Sequence, residues 1–369
     1  MERLEWFHVA GYKSLKNIEL GLKNINVLIG PNGGGKSNIL SLFSMLSEQV
    51  AFPFGRMQEF IARHGGAHVL LHDGPKVTEK IEIDLKFRTD LGFADYTCNL
   101  SLAAGDTLIF SKEFFRLTDE QERKNTDFID LGAGHRESRL IERSDQGDQV
   151  AQIVFYQPHL LYAYHFHDTS FSSGIRGKSK ITDYGYLKDD GANLGAFLMN
   201  LRDTAPDYYR IIVDKIRALA PFFDDFELID DHGFVLLRWR EKGSDQVFDA
   251  SQASDGLLRA MALIALLGQP SSNMIFDILI IDEPELGLHP YAISVITGMI
   301  RNVARERQVI VSTQSVLFID AFEPEDIVVV ERCGRETVCK RLDSKELDAW
   351  LGEYSLSELW EKNVLGGRP

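Results

Sequence analysis

Residues 25–37 read Ile-Asn-Val-Leu-Ile-Gly-Pro-Asn-Gly-Gly-Gly-Lys-Ser. The apolar run 25–29 predicts a buried strand, the glycines a turn, and the periodic apolar positions that follow a helix. Gly30 to Ser37 fits the spacing G-x-x-x-x-G-K-[ST] and sits in the strand-loop-helix setting that this spacing needs. Residues without Cβ let successive backbone N–H groups turn toward one anion, and the positive end of the helix points at the same place.

That chemistry suits the phosphates of a nucleotide. Asn32, Gly33, Gly34, Gly35, Lys36, Ser37 and Asn38 are the candidate binding residues, with Lys36 reaching the β- and γ-phosphates and Ser37 ligating Mg²⁺. A second apolar run, Ile278-Leu279-Ile280-Ile281, ends in Asp282-Glu283. In an open α/β sheet ligands bind beyond the carboxyl ends of the strands, so these acids are expected beside the phosphate loop. Asp282 is the expected Mg²⁺ holder, through water, and Glu283 the general base that polarises an attacking water.

Working outward, residues 4–10 form a strand candidate, and 80–117 alternate at period two, which predicts an antiparallel β lobe. Residues 118–150 are rich in Asp, Glu, Arg, Gln and Gly and read as a solvated insertion. Apolar stripes through Leu194, Phe197, Leu198, Leu201 and through Tyr209, Ile212, Ile216, Leu219 predict a helical hairpin over 192–220, broken at Pro206. A strand pair at 226–240, helix 255–267, strand 278–281, helix 291–304 and strand 309–311 follow, and this alternation implies a parallel sheet. Capping-box spacings at Asp343 and Ser355 predict two short closing helices. The expected units are 1–117, 118–225, 226–341 and a tail 342–369.

The chain has 369 residues, 44% apolar and 26% charged, an ordinary globular composition. Forty Lys and Arg against 55 Asp and Glu leave a net charge of −15, which argues against a uniformly nucleic-acid-coating surface. Cys98, Cys333 and Cys339 are odd in number and lack metal spacing, so neither a disulfide framework nor a zinc site is expected and a cytoplasmic setting fits best. No signal peptide is expected at the N-terminus, and the apolar run 257–267, interrupted by Arg259, is too short to span a bilayer.

Together these residues resemble an ATP-binding-cassette ATPase of the SMC-like, recombination-repair branch. Gly11-Tyr12-Lys13-Ser14 resembles the turn of SMC-type heads in which a basic residue approaches the nucleotide, which adds Lys13 and Ser14 to the candidates. Ser254-Asp255-Gly256 resembles the signature motif, whose serine and helix amides contact the γ-phosphate held by the other protomer; Asp255 departs from the usual pattern. Glu285 to Pro290 resembles the D-loop, and Gln314 in Ser312-Thr313-Gln314-Ser315 occupies the histidine-switch position. An amide can hydrogen-bond the γ-phosphate or the water but cannot accept a proton near neutral pH, so slow turnover is expected. Gln157 is one candidate for the glutamine-loop position, though its surroundings match poorly.

Residues 186–194, 326–332 and 358–363 extend the resemblance to compact bacterial AAA-type ATPases, including those of phage-defence and abortive-infection systems. The resemblance implies an α/β ABC-ATPase head with mixed and parallel sheet, an antiparallel β lobe, and a short helical hairpin in place of a coiled coil. It also implies Mg²⁺-dependent ATP hydrolysis, ATP-dependent pairing with a second copy, and a switch acting on an effector protein (a toxin or nuclease) or on DNA or RNA, in phage defence or DNA repair. No membrane partner is expected. The alternative is the ATP-binding subunit of a membrane transporter. A fused nuclease domain is not expected in the short stretch after Arg341, and the basic residues of 176–180 with Arg301, Arg305 and Arg307 are either phosphate contacts or, the favoured reading, a solvated face.

Overall fold

The computed structural model describes residues 2–51, 55–119, 124–125, 127–159, 161–270 and 277–368. At its centre the strand Ile25–Ile29 lies between Gln308–Thr313 and Ile327–Cys333, parallel to both. Ile278–Asp282 and then Tyr162–Tyr164 extend the sheet on one side, also parallel, while Glu336–Arg341 closes the other side antiparallel. A sheet covered on both faces needs apolar side chains in both directions, which is why Ile278 to Ile281 form an unbroken buried run.

Alternate residues of these strands enter different cores. Leu28, Ile280, Ile310, Val328 and Val330 pack with the helix Lys36–Gln49 and with the inner face of a seven-stranded antiparallel sheet. That second sheet includes Arg3–Tyr12, Leu15–Gly21, Lys80–Arg88, Gly92–Ala103 and Thr107–Asp119, and its inward positions (Ile81, Ile83, Leu85 and Phe87 on one strand) alternate with outward polar ones. Val27, Ile29, Ile281, Val311 and Val329 face the opposite way, onto the helices Leu194–Thr204, Pro206–Leu219, Asp255–Gly268 and Pro290–Val303. The helical hairpin is therefore folded onto the head: Phe197, Leu198, Leu201, Ile212 and Ile216 are buried in that core.

The expected strand pair near 226–240 is present with slightly wider bounds, Phe223–Phe226 antiparallel to Arg238–Glu241, while Phe234–Leu236 between them pairs with Lys178–Lys180, far away in sequence. One local expectation changes. The stretch 118–150 is not simply solvated. Leu140 and Ile141 are buried on the helix Leu140–Asp145, and Ser138 Oγ donates to the fully buried Glu113 at 2.5 Å, so a few residues anchor a mostly polar segment; residues 120–123 and 126 lie outside the described residues. Of the closing helices, Leu356–Glu361 starts on a reciprocal capping box at Ser355 and Glu358, while Ser344–Leu351 is capped by Asp343 alone.

Candidate functional site

The glycine loop is shaped as much by its neighbours as by its opening. Gly30 has φ 150° and Gly35 φ 116°; a Cβ on Gly30 would lie 1.9 Å from the Val330 carbonyl oxygen, and one on Gly35 2.0 Å from Thr337 Oγ1. Gly33, φ 77°, faces open space. The helix Lys36–Gln49 that follows has no side-chain cap and no acid in its first turn, so no side chain of its own offsets the positive end, where an anion is favoured. Lys36 is buried, with Nζ donating to the Gly30 and Pro31 carbonyls at 2.5 and 3.2 Å. Burial pushes its ammonium pKa down, against the opposing pull of Glu283, Asp282 and Glu285. Asn32 and Ser37 are exposed.

Lys13, Ser14 and Asn38 converge on the flank of this loop. Ser14 Oγ lies 2.7 Å from Thr337 Oγ1 and accepts from Asn38 Nδ2 at 2.6 Å, while Thr337 donates to the Gly34 carbonyl at 3.1 Å. Lys13, at φ 47°, donates to Ser41 Oγ at 2.7 Å. Lys13, Ser14 and Asn38 also line a cavity of about 340 Å³ with His68, Asp73, Arg332 and Arg335. Thr337, absent from the sequence-based candidates, carries no motif; only the antiparallel edge strand brings it under Gly35.

Asp282 ends its strand at the rim of a cavity of about 450 Å³ that Ser37, His165 and Asp189 also line. Burial pushes its carboxyl pKa up, but His165, Ser312 and His167 facing it outweigh that and hold it below the usual carboxylate range. His165 Nδ1 is 3.6 Å from Asp282 Oδ2, and His167 Nε2 is 3.1 Å from the Asp282 carbonyl oxygen. The Ser312 hydroxyl that faces the acid is itself buried. Both histidines escaped the sequence reading. They leave the short strand Tyr162–Tyr164, whose parallel register sets Tyr164 against Ile281 and hence His165 beside Asp282.

Glu283 has φ 41°, a left-handed conformation that costs a non-glycine residue of order 1–3 kcal/mol. Its carboxylate accepts a hydrogen bond from Gln314 Nε2. Glu285, mostly buried, accepts from Thr313 Oγ1 at 2.6 Å and from the Gln314 amide at 3.0 Å, and its Oε2 is buried without a partner. The loop after the acidic strand and the loop after Gln308–Thr313 are thus tied side chain to backbone, and Gln314 is aimed at Glu283.

Ser254 caps the helix Asp255–Gly268, accepting from the Leu257 amide at 3.3 Å, and does not line the cavity that holds Ser37 and Asp282. Asp255 accepts from Arg176 Nη2 at 2.8 Å, and the Thr169 hydroxyl first and then Arg176 lower its carboxyl pKa. Gly256 approaches Gly287, and Arg259 donates to the carbonyls of Phe166 and His167 at 3.1 and 2.8 Å. Arg176 faces inward onto the Thr169, Ala250 and Ala253 carbonyls, Lys178 pairs with Asp231, and Arg307 pairs with Asp277, so these three are not a free basic strip; Arg301 and Arg305 are exposed. Gln157 is fully buried, donates to Glu2 and to the Ile153 carbonyl, and stands outside the cavity beside Asp282.

Among the described residues no group of three or more His, Cys, Asp or Glu side chains could hold a metal ion alone. The donors that do meet fit a hydrated Mg²⁺, which takes one or two protein ligands and completes its shell with water and phosphate oxygens. They are the Ser37 hydroxyl and the ionised Asp282, which line one cavity.

A buried parallel sheet, a glycine loop opening a helix and an acid at the end of the next strand but one define a P-loop ATPase head. The chain belongs to the family described as "AAA domain, putative AbiEii toxin, Type IV TA system", whose model matches residues 25–320, and it is an ATPase. Its fold is that of SMC heads. It resembles an SMC head crystallised with the C-winged helix domain of ScpA, at 14% identity over 93% of this chain and 99% of that one, TM-score 0.62. It also resembles an SMC head with an extended coiled coil, bound to the C-terminal domain of ScpA derived from Pyrococcus furiosus, at 14% identity over 96% and 99%, TM-score 0.60. Comparison with curated proteins gives no match. No helix among the described residues is long and apolar enough to cross a membrane.

Proposed function

We propose that the chain binds ATP with Mg²⁺ in the loop 30–37, pairs with a second copy across that nucleotide, and uses slow hydrolysis to switch a partner effector. The observation that carries this reading is the separation of two half-sites: Ser254 opens its own helix, yet does not line the cavity of Ser37 and Asp282. One copy supplies loop, acid and base; another supplies Ser254 and the first amides of its helix, where an anion is favoured.

In this reading Lys36 leaves the Gly30 and Pro31 carbonyls for the β- and γ-phosphates, and Ser37 and Asp282 hold Mg²⁺, which neutralises phosphate charge. Glu283 accepts the proton of the attacking water. Gln314, already bonded to Glu283, orients that water without taking a proton itself. Lys13 and the 340 Å³ cavity beside it take the nucleoside side of the ligand. Membership of a type IV toxin-antitoxin family and the ScpA domain seated on the similar SMC heads support a protein effector in defence or DNA maintenance as the partner.

The test is the Glu283→Gln protein with ATP and Mg²⁺ in light scattering after size exclusion. The expected result is a stable dimer that a bulky substitution of Ser254 abolishes while ATP binding persists. A chain that stays monomeric with ATP bound, or hydrolyses ATP undiminished without Glu283, overturns the reading.

A further inference from the structure

The acidic strand has a neighbour that no motif announced. Tyr162–Tyr164 is the edge strand of the parallel sheet, in register Tyr162–Leu279, Ala163–Ile280, Tyr164–Ile281, so the residue after it arrives beside Asp282. That residue is His165. Its backbone N–H donates to the Asp189 carbonyl at 2.9 Å, which fixes where the strand ends, and its half-exposed imidazole lines the same cavity as Ser37 and Asp282. His167, two residues on, points at the Asp282 carbonyl and is locked by Arg259 through its own backbone oxygen, so only His165 presents a ring nitrogen toward the Asp282 carboxylate.

An ion held near Asp282 is within reach of that nitrogen. The Nδ1 to Oδ2 separation is 3.6 Å, longer than a hydrogen bond, and both residues line the cavity that Ser37 shares. Hydroxyl, carboxylate, water and phosphate oxygens suit Mg²⁺, whereas imidazole suits first-row transition ions. A site built from both kinds of donor discriminates differently from an all-oxygen one.

We propose that His165 is a direct nitrogen ligand of the nucleotide-bound metal and biases this ATPase toward Mn²⁺-like ions over Mg²⁺. The proposal rests on the ATP-site reading above and concerns metal identity, not turnover.

The experiment loads the full chain with Mn²⁺ and a non-hydrolysable ATP analogue and measures electron spin echo modulation with the histidines ¹⁵N-labelled, so that adenine nitrogens do not contribute. A ¹⁵N coupling of directly bonded strength is expected, lost in His165→Gln and retained in His167→Gln. In competition titrations the Mn²⁺ over Mg²⁺ affinity ratio should fall in His165→Gln and hold in His167→Gln. Bound Mn²⁺ and analogue with no histidine coupling in the unsubstituted protein overturn this proposal and leave the ATP site standing. Failure of the analogue to bind at all overturns both. The unsubstituted protein decides the matter even if a variant fails to fold.

Discussion

Gly256 and Gly287 meet backbone to backbone: a Cβ on Gly256 would lie 2.4 Å from the Gly287 carbonyl oxygen, closer than any side chain allows. The start of the helix Asp255–Gly268 is thereby seated against the loop that leaves Glu283 and Glu285. Gly256→Ala must push that loop aside. A destabilisation of about 1–3 kcal/mol, typical of overpacking, is expected in chemical denaturation, with ATP hydrolysis reduced by more than the loss of folded protein explains. An unchanged midpoint and rate would show that the contact yields freely.

Gln314 donates to Glu283 and is held from behind by Glu285. Gln314→Leu removes a hydrogen bond to a charged group, worth about 1.5–3 kcal/mol, which corresponds to roughly 10- to 100-fold in rate. The fall should appear in kcat with KM for ATP little changed. A shift confined to KM would instead make Gln314 a binding residue.

Glu283→Gln should lower single-turnover hydrolysis by about 10²- to 10⁴-fold, the range for loss of a general base. Filter binding of ATP at equilibrium should be preserved, which separates loss of chemistry from loss of the site.

Burial pushes the Glu285 carboxyl pKa above its ordinary value, against the hydrogen bonds from Thr313 and Gln314. A carboxyl raised in the folded state binds its proton more tightly there than in the unfolded chain, so its ionisation opposes folding once pH rises above the unfolded value. Glu285→Gln keeps an acceptor for Thr313 and removes the buried charge. It should raise Tm at pH 8, with the advantage shrinking as pH falls toward the carboxylate range. An advantage that is flat in pH would assign the effect to packing alone.

Trp360 is fully buried, its Nε1 donates to the Gly367 carbonyl at 2.6 Å, and a Cβ on Gly367 would come within 3.6 Å of Gly30 Cα. The tail thus braces the phosphate loop from behind. Trp360→Ala should cost about 3–5 kcal/mol and weaken nucleotide binding as well as Tm; intact affinity in the surviving folded protein would limit the tail to a stabilising role.

The local signals were legible because they are local. Four apolar residues before a glycine run, period-two alternation over 80–88, the stripes of 194–219 and the cap at Ser355 each report one element from its own residues, and the elements stand where those patterns put them. The family likeness and the ATPase head followed from the same stretches. What neighbouring strands bring together had no such signal. Thr337 lies under Gly35 and His165 beside Asp282 because sheet register aligns segments more than a hundred residues apart, Gly256 meets Gly287 because a helix start packs on a loop, and Arg176 faces inward because three backbone carbonyls wait there. Periodicity reports which face of an element is apolar; which polar groups meet is decided by long-range pairing, and only tertiary structure fixes that.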